Sequence, residues 1–137
     1  MTEQNCIFCQ IIAGNAPSAK IYEDENVFVF LDIFPASVGH TLVVPKGHYE
    51  TIYEMSDDAM AHVARAARSM AVAIGAVLEP DGLNVTQANG VAAGQTVPHY
   101  HVHLVPRTEG VRTRMHGSER ADDDALKALA KRIAEAL

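Results

Sequence analysis

The sequence predicts an α+β fold: an antiparallel β-sheet with one long helix, a short N-terminal helix and a C-terminal helix. Three observations predict it. Between His99 and Val105, three histidines alternate with Tyr100, Val102 and Leu104, and alternation with β-forming residues marks a strand with one polar and one apolar face. From Ser56 to Leu78, the residues Met60, Val63, Ala64, Ala67, Met70, Ala71, Ile74 and Leu78 recur at helical spacing, the stripe of a helix laid on a core. Short apolar runs elsewhere are separated by polar turns or a glycine-bearing loop, connections that suit antiparallel neighbours. The 137 residues read as one domain, 1–137, large enough for a core without disulfides.

The elements follow in order. Cys6 to Ala13 reads as a short helix that Gly14 ends. Lys20–Glu23 and Val27–Asp32 read as two strands joined by a turn at Asp24-Glu25-Asn26. Val27 to Leu31 is continuously apolar, as in a strand covered on both faces. Pro35 to Gly39 is a loop, and His40 opens a strand, Thr41–Val44, that Pro45 closes. Thr51–Met55 is a helical turn. Ser56 is the N-cap of the long helix, with Asp57 and Asp58 at the positive end of its dipole. His62 lies off the stripe, on the surface. Pro80-Asp81-Gly82 breaks the chain before a strand, Leu83–Ala88. A loop of small residues, Asn89 to Gly94, leads into the histidine strand, so these last two strands pair across it. Residues 108–120 are polar, and Arg112, Arg114 and His116 there form either a mobile stretch or a cover for the site. Ala121–Leu137 reads as the terminal helix, with Asp122-Asp123-Asp124 at its start and Lys131-Arg132 in its second half.

Composition narrows the function. Hydrophobic content of 48% and charged content of 20% are those of a globular domain. The net charge of −6 argues against a nucleic-acid partner, which needs a basic face. It also requires an anionic ligand to meet local donors rather than a global positive field. No apolar run reads as long enough to span a bilayer, and the start, Met1 to Asn5, does not read as a signal peptide. No membrane association and a cytoplasmic location are the resulting expectations.

Alternate strand residues lie about 6.5–7 Å apart, which puts His99 and His103 roughly 13 Å apart. One metal ion cannot easily take all three imidazoles, so the row suits an elongated polar ligand. Neutral imidazole is a nucleophile or base and imidazolium a donor to anions, which makes a phosphate ester the obvious ligand. The small loop before the row brings backbone N–H groups close to such a ligand. Asp32, ending its strand, either caps a turn or accepts from ribose hydroxyls. Cys6 and Cys9 form a C-x2-C pair, in a cytosolic chain more often half of a metal site than a disulfide.

The stretch Gly94-Gln95-Thr96-Val97-Pro98-His99-Tyr100-His101-Val102-His103-Leu104-Val105 resembles the signature of the histidine triad (HIT) superfamily, His-φ-His-φ-His-φ-φ with φ apolar. The likeness runs from Cys6 to about Arg107. It implies a HIT-like fold, a purine nucleotide substrate, and attack on its α-phosphorus by the central histidine, His101. It further implies that His103, Asn89, Thr96 and the Gly94–Thr96 backbone bind the phosphate, with Gln95 in the motif, and that Asp32 binds the ribose. His40 matches an additional supporting histidine and takes an orienting role, and His99 stands beside the nucleophile in the catalytic row. By the same resemblance Cys6, Cys9, His48 and His99 bind a structural zinc, a closed tetrahedral set, and no catalytic cofactor is needed. Members commonly form homodimers through the long helix and a strand.

The resemblance favours hydrolysis of nucleoside 5′-monophosphate conjugates of the phosphoramidate type, AMP-X, through a nucleotidyl-histidine on His101. The alternatives are a dinucleoside polyphosphate hydrolase and a nucleotide-binding interaction module with incidental hydrolysis. A sugar-phosphate nucleotidyltransferase of this superfamily would carry glutamine where His101 stands. A DNA deadenylase would add a zinc finger and a basic surface. A zinc hydrolase would require an open metal position.

Overall fold

A computed structural model of the chain describes residues 3–112 and 114–137. The helices are α1 (Ile7–Ile12), α2 (Asp57–Leu78) and α3 (Asp123–Glu135). The strands are β1 (Ala19–Glu23), β2 (Val27–Leu31), β3 (Thr41–Pro45), β4 (Gly82–Thr86) and β5 (Val102–Arg107). They form one antiparallel sheet in the order β1-β2-β3-β5-β4.

Local chemistry explains the element ends. The Cys6 sulfur caps α1 by accepting the Cys9 N–H. Asp24 makes the β1–β2 turn by accepting from the Asn26 and Val27 N–H groups at 2.7 and 3.0 Å. Ser56 accepts the Ala59 N–H and starts α2, and Asp122 does the same for α3 through Ala125. Gly39 has φ +92°, and a Cβ there would lie 2.4 Å from Leu78 Cδ1. That glycine lets the loop before His40 pass under the end of α2.

The sheet is covered on both faces. On one face Val27, Val29, Leu31, Val43, Tyr100, Val102 and Leu104 meet α2 and α3. On the other, Phe28, Phe30, Leu42 and Val44 meet α1 through Phe8 and Ile11. The alternation of β2 thus serves two cores, which is why its whole run is apolar. By length and composition alone α2 could cross a membrane, contrary to the expectation from the sequence. In this fold Val63, Ala67, Met70, Ala73 and Ile74 bury on the sheet, so α2 is the helix of the main core. Ala64, expected in the core stripe, is exposed.

The histidine strand begins later than its alternation suggests. Ladder pairing with β3 runs only from Thr41↔Leu104 to Val43↔Val102. Beyond it Pro45 has no N–H to offer, and its carbonyl takes the His99 ring at 2.9 Å. The Tyr100 N–H donates instead to the Tyr49 carbonyl. His99, Tyr100 and His101 therefore precede the strand, although their side chains still alternate between the two cores.

Candidate active site

The three histidines of the row are buried, His99 at 0% exposure, His101 at 5% and His103 at 7%. Helix α1 covers the first two, with the Phe8 ring edge-on to His99 and His101 at centroid distances of 5.8 and 5.2 Å. Of the row, only His101 and His103 line the cavity beside α1, which measures about 490 Å³. Its walls are apolar along Phe8, Ile11, Phe30, Leu42 and Val97, and Asp32 and Thr96 also face it. The row is thus not a continuous ligand rail. His99 lies behind the cavity wall.

The hydrogen bonds assign tautomers. His101 Nδ1 lies 2.7 Å from the His99 carbonyl. A carbonyl only accepts, so Nδ1 carries the proton and Nε2 keeps its lone pair. Among the described residues no protein group engages that Nε2. The Ala36 N–H donates to His40 Nδ1 at 2.9 Å, so the His40 proton sits on Nε2. That N–H donates to His103 Nδ1 at 2.9 Å, which leaves His103 with its proton on Nε2. The result is a nucleophilic nitrogen on His101 beside a donor on His103, their rings 4.7 Å apart. His40 orients His103. The His99 carbonyl orients His101.

Electrostatics agree with this assignment. Burial pushes His40 down to about 4 and His103 to about 3, so both are neutral near pH 7. Burial also lowers His101, partly opposed by its bond to the His99 carbonyl and by the Asp32 charge. Asp32 is raised by burial against the Phe34 N–H bond. Its Oδ1 accepts that N–H at 2.8 Å, so it caps the turn, and it also faces the cavity. Both readings of this carboxylate hold together.

Three residues expected at the phosphate do not line the cavity. The Gln95 side chain is a staple, accepting the Gly90 N–H at 2.7 Å and donating to the Glu50 and Val97 carbonyls at 2.6 and 3.0 Å. Asn89 Oδ1 accepts from Ile52 N–H and Gln87 Nε2, both at 2.7 Å. The Gly94 and Gln95 N–H groups bond back to Val91 and Gly90. These residues shape the loop. Among the described residues, Thr96 alone of Gly94–Thr96 has a backbone N–H and a hydroxyl without protein partners.

Behind the wall, Cys6, Cys9, His48 and His99 place their ligand atoms within 4.8 Å of one another. His99 Nδ1 lies 3.4 and 3.5 Å from the two sulfurs, and His48 Nδ1 lies 3.3 Å from Cys9 Sγ. Tetrahedral zinc spaces a sulfur and a nitrogen ligand by about 3.6 Å, so the donor set fits. The Pro45 carbonyl takes His99 Nε2–H and so turns the Nδ1 lone pair toward the sulfurs. Burial and the neighbouring Cys6 push Cys9 up to about 12. Without a metal the Cys9 side chain is a neutral thiol, and zinc would hold it as a thiolate. Asp32, His40 and His103 also converge, but the facing nitrogens of the two histidines already share a proton.

The cavity has a further wall, of which the sequence suggested only the His116 part, as a cover for the site. Beyond the row, α3 and the segment before it contribute His116, Arg120, Leu126 and Lys127. Arg112 and Arg114 do not line it. The polar 108–120 stretch gave only a general signal for this, through its single histidine, His116.

Five antiparallel strands, two cores and a hydrogen-bonded histidine cluster at a pocket define a histidine-site α+β protein. The HIT domain model matches residues 13–110, and the chain belongs to the HIT family. Protein hit of Bacillus subtilis is 53% identical over 104 residues, 76% of this chain and 72% of that protein. Adenosine 5′-monophosphoramidase hnt1 of Schizosaccharomyces pombe is 41% identical over 103 residues, 75% of this chain and 74% of that one. A Hit-like protein from Bartonella henselae superposes with TM-score 0.93 at 35% identity, covering 98% of this chain and 97% of its own. A zinc-bound histidine triad protein from Mycobacterium smegmatis gives 0.86 at 37%, covering 98% and 94%.

Proposed function

We propose that the chain hydrolyses nucleoside 5′-monophosphate conjugates, AMP-X, through a nucleotidyl intermediate on His101, with an amine as the preferred leaving group. The observation that carries this reading is the His101 tautomer. Its Nδ1–H is held by the His99 carbonyl, so Nε2 offers a fixed lone pair to the cavity. The apolar walls suit a purine, and Asp32 stands ready to accept from ribose hydroxyls. His101 Nε2 attacks the α-phosphorus. The bond to X breaks, and X leaves with the electron pair and takes up a proton. His103 Nε2–H and Thr96 stabilise the phosphoryl oxygens. Water then attacks phosphorus, the P–N bond electrons return to His101, and AMP and a proton leave.

The fission-yeast relative, named as an adenosine 5′-monophosphoramidase, supports the choice of an amine. Zinc at Cys6, Cys9, His48 and His99, a closed four-ligand set, would supply structural cross-linking of α1 to the sheet. We further propose a homodimer through the face where Met60, Ala64 and Ala71 of α2 and Val85 of β4 line a hollow of about 350 Å³.

The test is AMP release from adenosine 5′-phosphoramidate and from diadenosine triphosphate, by wild type and His101→Ala. Turnover by wild type and a loss of at least 10³-fold in the variant are expected. Equal turnover by both proteins would refute the nucleotidyl-histidine route. Faster release from the triphosphate would move the leaving group to a nucleotide.

A further inference from the structure

The segment between β5 and α3 is fastened beside the cavity as a strap. The Gly117 N–H donates to the Phe34 carbonyl at 3.1 Å, and the Ala121 N–H to the Ile33 carbonyl at 2.8 Å. Arg107 Nη2–H donates to the Arg114 carbonyl at 2.5 Å. Gly117 is pressed so closely on the loop that a Cβ would lie 1.9 Å from the Pro35 oxygen. No other residue fits there without moving the backbone. The strap therefore holds to the loop that follows Asp32, and its register fixes what it presents.

It presents His116. That ring is exposed, lines the cavity and stands 5.6 Å from the His103 ring, nearly perpendicular at 75°. It is near enough to act electrostatically on Asp32, His40, His101 and His103. His116 makes no protein hydrogen bond among the described residues. A chain of net charge −6 must hold an anion with local donors. At the phosphoryl end two residues supply three donors, the His103 Nε2–H and the Thr96 N–H and hydroxyl, whereas the terminal phosphoryl group of the AMP product has three oxygens that each accept more than one hydrogen bond.

We infer that His116 is a substrate-contacting residue, whose imidazole donates to the phosphoryl group held between His101 and His103. The strap is then a fixed wall of the phosphoryl end of the pocket. This inference rests on the nucleotide reading above.

The experiment measures binding of AMP and of adenosine by calorimetry to wild type, His116→Ala and His116→Gln, with thermal melts to confirm that each is folded. His116→Ala is expected to weaken AMP about tenfold and to leave adenosine within twofold. His116→Gln, which keeps an N–H donor, is expected to stay within about threefold of wild type for AMP. Equal weakening of AMP and adenosine by His116→Ala would mean that the ring only shapes the pocket, and would overturn the inference. So would unchanged AMP binding. Wild type that binds no AMP would sink the nucleotide reading itself, and this inference with it. Wild type that binds AMP while His116→Ala behaves identically would leave that reading standing and remove only His116.

Discussion

Acid should destabilise this fold through His40, and the amount follows from its burial. His40 is 1% exposed, and burial lowers it to about 4, whereas in the unfolded chain it titrates near 6.5. Between these values the unfolded chain binds a proton that the folded chain refuses. Stability from this group is therefore fully present above pH 6.5 and is lost as pH falls toward 4. The loss is about 2 kcal/mol at pH 5 and about 3 kcal/mol at pH 4. His40→Gln keeps an acceptor for the Ala36 N–H and a donor for His103 Nδ1, but does not titrate. Urea unfolding of both proteins at pH 7.5, 6, 5 and 4 isolates the effect, because carboxylates, His103 and the cysteine cluster are common to both. Wild type should lose about 2 kcal/mol more than His40→Gln between pH 7.5 and 5. Parallel stability curves for the two proteins would show that His40 is not held neutral, and the tautomer chain to His103 would fall with it.

Two further predictions concern the cysteine cluster and the dimer face. Protein prepared without chelator should hold one zinc per chain by elemental analysis, and Cys9→Ser should lose it. Stripping the metal should lower stability by about 3 kcal/mol, about 10 °C in Tm; metal-free wild type, or an unmoved Tm after stripping, would refute the site. Val85 is 57% exposed at the β4 edge, so Val85→Glu should turn a sedimenting dimer into a folded monomer whose Tm no longer depends on protein concentration. A wild-type monomer at micromolar concentration would remove that interface.

Much of the frame was legible because it depends on local chemistry. Ser56 before two aspartates located the start of α2 to the residue, and Asp24 located the β1–β2 turn. The alternation from His99 put Tyr100, Val102 and Leu104 on a core face, where they lie, since side-chain direction survives where ladder pairing fails. Long-range contacts hid the rest. Nothing in Gln95 or Asn89 says that their amides are consumed by Glu50, Val97 and Ile52. His40 was read as a supporting, orienting histidine with no partner named. Its actual partner is His103, 63 residues away, a pairing set by the β3–β5 register in which Leu42 faces His103. The α3 wall was invisible because its cavity residues lie on a helix whose pattern reports only the packing of Leu126, Leu129 and Ile133.

The late start of β5 is itself part of the site. In a paired strand, the carbonyl of His99 would be turned to a neighbouring strand's N–H. Continuing the β3–β5 register puts Tyr100 opposite Pro45, which has no N–H to give it, and the chain turns at His99, whose own N–H bonds to the Val97 carbonyl. The carbonyl is then free to take Nδ1–H of His101, two residues on. The same residue directs its ring the other way, Nε2–H to Pro45 and Nδ1 to the cysteines. One proline thus ends the ladder and orients a metal ligand through its carbonyl, while the turn at His99 aims the acceptor that fixes the nucleophile's tautomer.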